Sequence, residues 1–234
     1  TRSQLRSNPT NLVRMAPDFL MALVFSLMIV AIARPQKTNE KVEQWTEGID
    51  IMLAMDISQS MQIEDFKPNR LEAAKEVAND FIDGRFQDRI GIVIFSGDAY
   101  SLSPLTTDYD LLKSYIEDIE FDMIENRGTA IGSALAVATN RMRESDSKSK
   151  VLILLSDGDN TAGNIDPITA ANLATAYDIK MYSIAIGKEG KVPFGKDFFG
   201  RPRMVDNTMD ESTLREIAKI GEGEFFRVGD NEAL

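Results

Sequence analysis

The chain has 234 residues and a formal net charge of −11, and it contains neither cysteine nor histidine. Without these two residue types, disulfides, thiol catalysis, Ser-His-Asp catalysis and histidine-bound zinc are excluded. The acidic surplus also disfavours nucleic acid as a ligand, because phosphate recognition needs clustered Lys and Arg.

The first predicted element is an apolar segment near the amino terminus. Residues 19–33 are apolar except for Ser26. We predict three segments ahead of the main domain: a basic lead at residues 1–14, a transmembrane helix at 15–34 and a polar linker at 35–47. Two alternatives stay open for the apolar segment: a signal peptide with Ala31-Ile32-Ala33 as its cleavage site, and a helix buried in a domain core.

Strands and helices then alternate through a domain predicted at residues 48–234. Apolar runs predict strands at 49–55, 89–95, 100–105, 151–155, 181–186 and 224–228. Apolar residues at helical spacing predict helices at 70–83, 109–119, 130–143, 167–177 and 212–220. This alternation predicts an α/β domain, with a doubly wound, mostly parallel sheet and helices on both faces.

Side chains with hard oxygen atoms follow two of these strands and precede one helix. Asp56, Ser58 and Ser60 come directly after the first strand of the domain. Thr129 opens the third helix, and Asp157 follows the fourth strand. Ligands of open parallel sheets bind beyond the carboxyl ends of strands, so we expect these side chains to converge. Carboxylate and hydroxyl oxygens suit Mg²⁺, Mn²⁺ or Ca²⁺ rather than zinc or copper.

Each of these residues also has a purely structural interpretation. An Asp or Ser after a strand is a common turn residue, and a Thr at a helix start is a common N-cap. The metal-site interpretation therefore depends on the three parts occurring together.

Together the three parts resemble the metal-ion-dependent adhesion site of von Willebrand factor A (VWA) domains. The matching motifs are Asp-x-Ser-x-Ser at 56–60, Gly128-Thr129 and Asp157-Gly158, and the resemblance covers roughly residues 47–228. It implies a VWA/Rossmann-like fold and a bound divalent metal, Mg²⁺ first, with Mn²⁺ or Ca²⁺ as alternatives. It also implies that Ser58, Ser60 and Thr129 touch the metal, while Asp56 and Asp157 act directly or through water. One coordination position would stay open for an acidic residue of a protein partner.

Four longer stretches are similar to the aerotolerance-operon (Bat-type) VWA proteins of bacteria. They are Leu53-Ala54-Met55-Asp56-Ile57-Ser58, Phe66-Lys67-Pro68-Asn69-Arg70-Leu71, Pro104-Leu105-Thr106-Thr107-Asp108-Tyr109 and Gly128-Thr129-Ala130-Ile131-Gly132. This resemblance implies an inner (cell) membrane protein with its VWA domain on the periplasmic side and a last helix continuing beyond residue 234. It implies other Bat-type membrane proteins and a MoxR-type AAA+ ATPase as partners, in an envelope or stress-tolerance complex.

The sequence therefore predicts a metal-dependent protein-interaction module rather than an enzyme. A first alternative is a Mg²⁺-dependent phosphatase that uses Asp56 as its nucleophile, but Ser58 stands where such enzymes need a second acid. A second alternative is a structural scaffold that binds its partners without metal.

The segment 188–210 stands apart from the alternating pattern. It contains three glycines, two prolines and three phenylalanines: Gly190, Gly195, Gly200, Pro193, Pro202, Phe194, Phe198 and Phe199. Long loops in compact domains are often functional. We predict a β-hairpin that packs its aromatic residues on the domain, with a recognition surface near the sheet edge as the alternative.

Overall fold

A computed structural model describes residues 9–33, 48–188, 190–196, 202–207 and 211–228 of the chain. The chain divides into two units, Thr1–Gln44 and Trp45–Leu234. The predicted linker at 35–47 lies outside the described residues.

The described part of the first unit is the helix α1, Pro9–Ala33, with Pro17 inside it. Its large apolar side chains between Phe19 and Ile29 are exposed, from 48% at Leu23 to 75% at Phe19. Within the described part of the chain, no helix combines the length and the apolar character that crossing a membrane requires. The transmembrane helix at 15–34 stays a prediction.

The second unit is built on a six-stranded sheet in the order β3-β2-β1-β4-β5-β8. Its strands are β1 Asp50–Asp56, β2 Arg89–Phe95, β3 Ala99–Thr106, β4 Lys150–Ser156, β5 Ile179–Ile186 and β8 Phe225–Val228. Five of them are parallel, and β3 runs antiparallel to β2 at one edge. The helices are α2 Arg70–Asp83, α3 Tyr109–Glu117, α4 Ile131–Met142, α5 Pro167–Thr175 and α6 Glu211–Ile220. The predicted α/β fold with a mostly parallel sheet is confirmed.

Two hydrophobic cores, one on each face of the sheet, explain the continuous apolar runs of the central strands. Every residue of β1 is buried. Ile51, Leu53 and Met55 pack in one core with residues of α2 and α3. Met52 and Ala54 point the other way, into a core formed with α4, α5 and α6. When a strand is covered on both faces, neither face meets solvent. Its sequence therefore does not alternate between apolar and polar residues.

The strand register fixes where the candidate site lies. In the parallel pairing of β1 with β4, Met55 stands opposite Leu155, so both strands end at the same level. Asp56 and Asp157 therefore emerge at the same edge of the sheet. The carboxyl end of β5, at Ile186, lies at this edge as well, because β5 is parallel to β4.

The segment after β5 forms a separate two-stranded hairpin, as predicted. Strands β6 (Gly190–Lys196) and β7 (Pro202–Asn207) pair antiparallel, with Val192 opposite Val205. Val192 is buried, whereas the Met204 side chain is 54% exposed. Phe194, one of the aromatic residues predicted to pack on the domain, is exposed as well, and Phe198 and Phe199 lie outside the described residues. The hairpin is confirmed, whereas the packing of its aromatic residues is not.

Candidate metal centre

Asp56 is the last residue of β1 and is completely buried. Its Oδ1 accepts a hydrogen bond from the Ser58 backbone N–H (2.8 Å), and its Oδ2 accepts one from the Ser156 hydroxyl (2.6 Å). Burial, followed by the nearby charge of Asp157, raises the pKa of Asp56 to about 7, although both serines oppose the shift. A buried carboxylate with so high a pKa lacks a compensating positive charge of its own.

Ser58 and Ser60 are brought together by a short 3₁₀ helix at Gln59–Gln62 that follows β1. Their hydroxyl oxygens are 3.0 Å apart, and Ser58 is buried. The tight turn places alternate side chains on one side of the chain, as the spacing of the motif predicts. Two hydroxyl oxygens thus lie beside the end of β1.

Thr129 precedes α4 and is buried, and it is not the N-cap residue of that helix, which was the structural alternative to its predicted role as a ligand. The N-cap residue of α4 is Ala130, whose side chain forms no capping hydrogen bond. The backbone N–H of Ile131 instead donates to Asn160 Oδ1 (3.0 Å), from the loop after β4. Sequence spacing could not reveal this cap, because the two residues are separated by 29 positions.

The loop before α4 and the loop after β4 are joined through their backbones. The carbonyl of Thr129 accepts hydrogen bonds from the N–H groups of Thr161 (3.0 Å) and Ala162 (3.2 Å). The Thr129 N–H in turn donates to the Thr161 hydroxyl (3.0 Å). Thr129 is therefore held beside the loop that begins with Asp157.

Asp157 is almost fully buried, and its two oxygens have different surroundings among the described residues. Its Oδ2 accepts from Arg70 Nη1 (3.0 Å), whereas Oδ1 is buried and has no hydrogen-bond partner of ordinary geometry in the described part of the chain. Burial raises the pKa of Asp157, and the Ser60 hydroxyl and the Arg70 guanidinium oppose that rise.

Arg70 is the site residue that the sequence analysis missed. It is completely buried, and its Nε (3.0 Å) and Nη2 (2.7 Å) donate to the Asp65 carboxylate. Asp65 Oδ2 also accepts the backbone N–H of Lys188 (2.7 Å), just beyond β5. The periodicity of α2 marked Arg70 only as a helix start, where an arginine is ordinarily exposed. The sequence analysis also missed Ser156, the hydroxyl donor to Asp56. A polar residue at the end of an apolar strand is ordinarily read as the start of a turn.

The five predicted metal ligands thus gather at one edge of the sheet. Electrostatic interaction couples Asp56 to Asp157, and the serine hydroxyls bridge the space between them. Thr129 joins them through the Thr161–Ala162 loop. Among the described residues, no hydrogen bond joins Thr129 directly to the other four.

The chemistry of this set fits a hard divalent cation. It offers two carboxylates and three hydroxyls, all oxygen donors. Among the described residues, no group of three or more acidic side chains could hold a metal. The buried, unpartnered Oδ1 of Asp157 is the atom that a cation, or water bound to it, would satisfy.

Comparison with known proteins agrees with this geometry. The family model of the von Willebrand factor type A domain matches residues 50–234. The chain belongs to this family. VWA domains mediate protein interactions and typically hold a divalent metal at the motif that residues 56–60, 129 and 157 resemble.

Two solved bacterial structures are similar across the domain. An aerotolerance-related membrane protein from Bacteroides fragilis is 32% identical, with a TM-score of 0.69, over 79% of this chain and 92% of that one. The protein BatB from Bacteroides thetaiotaomicron is 31% identical, with a TM-score of 0.70 and the same coverage. An uncharacterized protein of Borreliella burgdorferi is 32% identical over 97% of this chain and 68% of its own length.

Proposed function

We propose that this VWA domain binds an acidic side chain of a protein partner through a divalent metal, Mg²⁺ first, held by Asp56, Ser58, Ser60, Thr129 and Asp157. The observation that carries the proposal is the unpartnered Oδ1 of Asp157, buried beside the serine hydroxyls. A protein rarely buries a carboxylate oxygen without a partner, since desolvating it is costly.

The protein's own groups explain why the site would favour a partner's carboxylate. Three of its five donors are neutral hydroxyls, and one oxygen of Asp157 is already engaged by Arg70. A divalent ion held in this way keeps positive charge that an external carboxylate can neutralise. Ser156 and the Ser58 N–H orient Asp56, and Arg70 orients Asp157.

Isothermal titration calorimetry with Mg²⁺ tests the metal site directly. We expect Thr129→Ala to weaken Mg²⁺ binding at least tenfold, a loss of about 1.4 kcal/mol. The matched control is Thr139→Ala, which removes another buried hydroxyl of the same domain, one that donates to the Leu135 carbonyl within α4. Both variants lose one buried hydroxyl, so a difference in their Mg²⁺ affinity would come from the role of Thr129 as a ligand.

Partner binding is tested by crosslinked capture from native membranes, in Mg²⁺ and in EDTA. We expect the wild type and Thr139→Ala to retain a partner only in Mg²⁺, and an Asp56→Ala, Thr129→Ala variant to retain none. Equal capture in every condition would contradict the proposal and favour a scaffold that binds without metal.

The site also bears on the phosphatase alternative. Both oxygens of Asp56 accept hydrogen bonds, from the Ser58 N–H and the Ser156 hydroxyl, which makes the carboxylate a weak nucleophile. Ser58 lacks the acid–base capacity that the second acid of such enzymes supplies. We therefore propose that the domain is not an enzyme; turnover of p-nitrophenyl phosphate that Asp56→Asn abolishes would contradict this.

We further propose that the chain belongs to the bacterial inner membrane, with its VWA domain on the periplasmic side. The structural relative from Bacteroides fragilis bears the name of a membrane protein. The large apolar side chains of α1 between Phe19 and Ile29 are exposed, and such a surface is unfavourable in water. We propose residues 15–34 as the membrane anchor, after the lead at 1–14 and before the linker at 35–47.

Protease protection in spheroplasts tests this placement. We expect added proteinase K to digest the domain at 48–234 without lysis, and alkaline carbonate to leave the chain in the membrane. Protection until lysis would place the domain inside, and release by carbonate would exclude an anchor. In keeping with the Bat-type names of its relatives, we propose other Bat-type proteins and a MoxR-type AAA+ ATPase as members of the same stress-tolerance complex, to be sought in the captured material.

A further inference from the structure

We propose that the described residues of the segment 188–207 (Lys188, 190–196 and 202–207), here called the basic hairpin segment, form a second docking surface beside the candidate metal centre, and that this surface receives an acidic stretch of the partner polypeptide. The proposal rests on the proposed function, because one carboxylate of that stretch would engage the metal centre. The remaining carboxylates would lie along the hairpin.

A continuous chain of contacts fixes this segment next to the metal centre. Asp157 accepts from Arg70 Nη1 (3.0 Å), and Arg70 Nη2 donates to Asp65 (2.7 Å). Asp65 Oδ2 accepts the backbone N–H of Lys188 (2.7 Å), where the segment begins. Only two side chains therefore separate Lys188 from the candidate ligand Asp157.

A second anchor holds the first strand of the hairpin to the same loop. The N–H of Glu64 donates to the Pro193 carbonyl of β6 (3.2 Å). The ammonium of Lys188 lies 4.9 Å from the centre of the Phe66 ring, a cation–π distance. The loop 63–66 thus connects the metal centre to the hairpin on that side.

The charge of this segment is opposite to that of the chain. Its described residues contain four Lys or Arg and one Asp, a net charge of +3, whereas the whole chain carries −11. Lys188 and Lys191 are both exposed. Exposed basic residues clustered on an acidic domain form a local positive field that attracts acidic ligands.

The loops after β2 and β4, which adjoin Thr129, carry acidic residues. Asp98 there forms a hydrogen bond with Asn126, and Asp159, close enough to raise the pKa of Asp157, is exposed. Arg127, two residues before Thr129, is an exposed basic residue. An acidic polypeptide engaged at the metal centre is therefore drawn toward the hairpin and away from Asp98 and Asp159.

The test uses the full chain in nonionic detergent and a fluorescein-labelled deca-glutamate peptide, with a neutral Gly-Ser peptide of equal length as the ligand control. The variant Lys188→Gln, Lys191→Gln removes two exposed charges but keeps the Lys188 backbone hydrogen bond to Asp65. Lys180→Gln is the matched protein control, because Lys180 is exposed near the opposite end of β5. Fluorescence anisotropy is measured in Mg²⁺ and in EDTA.

We expect deca-glutamate to bind the wild type in Mg²⁺ and the neutral peptide not to bind. The double lysine variant should bind about fivefold more weakly, as expected for two exposed ion pairs, and Lys180→Gln should match the wild type. EDTA should weaken wild-type binding as well.

Calorimetry with Mg²⁺ alone separates failure of this inference from failure of the proposed function. Equal affinities of the double lysine variant and Lys180→Gln for deca-glutamate, or no wild-type binding of that peptide, overturn the acidic docking surface while Mg²⁺ binding persists. Absence of Mg²⁺ binding in the wild type overturns the proposed function itself.

Discussion

Arg70 is the residue on which the charge balance of the candidate site depends. Its guanidinium is completely buried and contacts two carboxylates, those of Asp65 and Asp157. Forming such a buried network yields little net stability, but removing one member leaves an uncompensated charge inside the protein. Arg70 therefore matters less as a source of stability than as the group that permits Asp157 to be buried.

Substitution of this arginine gives a first prediction. We expect Arg70→Gln to lower the free energy of unfolding by about 3–5 kcal/mol, measured by urea denaturation. Arg70→Lys should restore only part of the loss, because a lysine cannot donate to both carboxylates in the fork geometry of a guanidinium. Arg143→Gln, which breaks an exposed pair with Glu144, should stay within about 1 kcal/mol of the wild type.

The buried charge of Asp56 gives a second prediction. Its pKa is about 7 in the folded protein against an ordinary 3.8, so the folded state binds the proton more tightly than the unfolded state does. The metal-free protein therefore loses stability as pH rises from about 4 to 7, and the full penalty remains above pH 7. Asp56→Asn should be more stable than wild type at pH 8 in EDTA, by on the order of 2 kcal/mol.

Two comparisons check the origin of that gain. The difference between Asp56→Asn and wild type should shrink as pH falls and vanish near pH 3, below both pKa values, where the wild-type carboxyl is mostly protonated in both states. The exposed control Asp80→Asn should show no gain at pH 8. A gain for Asp56→Asn that does not depend on pH would show that charge is not its cause.

At the scale of elements, the metal centre depends on close packing at the start of α4. A Cβ atom placed on Gly132 would lie 1.9 Å from the Ile165 carbonyl oxygen, in the segment that leads into α5. This contact is backbone, so neither side can move aside cheaply. Gly132 is three residues after Thr129, and the position of the Thr129 side chain depends on this approach.

We expect Gly132→Ala to destabilise the domain by about 1–3 kcal/mol, although Ala is the better helix former. The control is Gly84→Ala at the end of α2, where the nearest atom to an added Cβ would be 3.7 Å away. That variant should stay within about 0.5 kcal/mol of wild type. Thermal unfolding followed by circular dichroism compares the two, and equal midpoints would contradict the packing argument.

The elements were largely predictable from the sequence because they are encoded locally. The predicted strand at 49–55 differs from β1, Asp50–Asp56, by one residue at each end. The prediction was this close because burial on both faces makes nearly the whole strand apolar. The helix predicted at 109–119 ends at Glu117, because a helix end depends on hydrogen bonds that spacing does not show.

The parts of the site that the sequence did not predict are pairs distant along the chain. Arg70 with Asp157, Ser156 with Asp56, and Asn160 with the N-terminus of α4 are brought together only by the strand order. The motif residues could be selected because their spacing is itself local. Their supporting partners have no such spacing.

At the scale of the whole molecule, a bound cation should stabilise the folded domain, because the unfolded chain has no assembled site. At a free Mg²⁺ concentration one hundred times the dissociation constant, binding adds about 2.7 kcal/mol. We expect the midpoint of thermal unfolding to rise by about 5–10 °C in Mg²⁺ and to return in EDTA. Choline chloride at equal ionic strength should give no rise. Thr129→Ala, with at least tenfold weaker binding, should show at most about half of the wild-type rise.

The backbone bonds that join Thr129 to Thr161 and Ala162 have a consequence for local motion. A hydrogen-bonded amide exchanges its proton with water only when its bond opens, and bonded neighbours open together. The amides of Thr129, Thr161 and Ala162 should therefore become deuterated at one common, slow rate, although all three lie in loops. The two loops then move as one rigid unit. A force that a bound partner exerts on either loop is therefore transmitted to both α4 and β4.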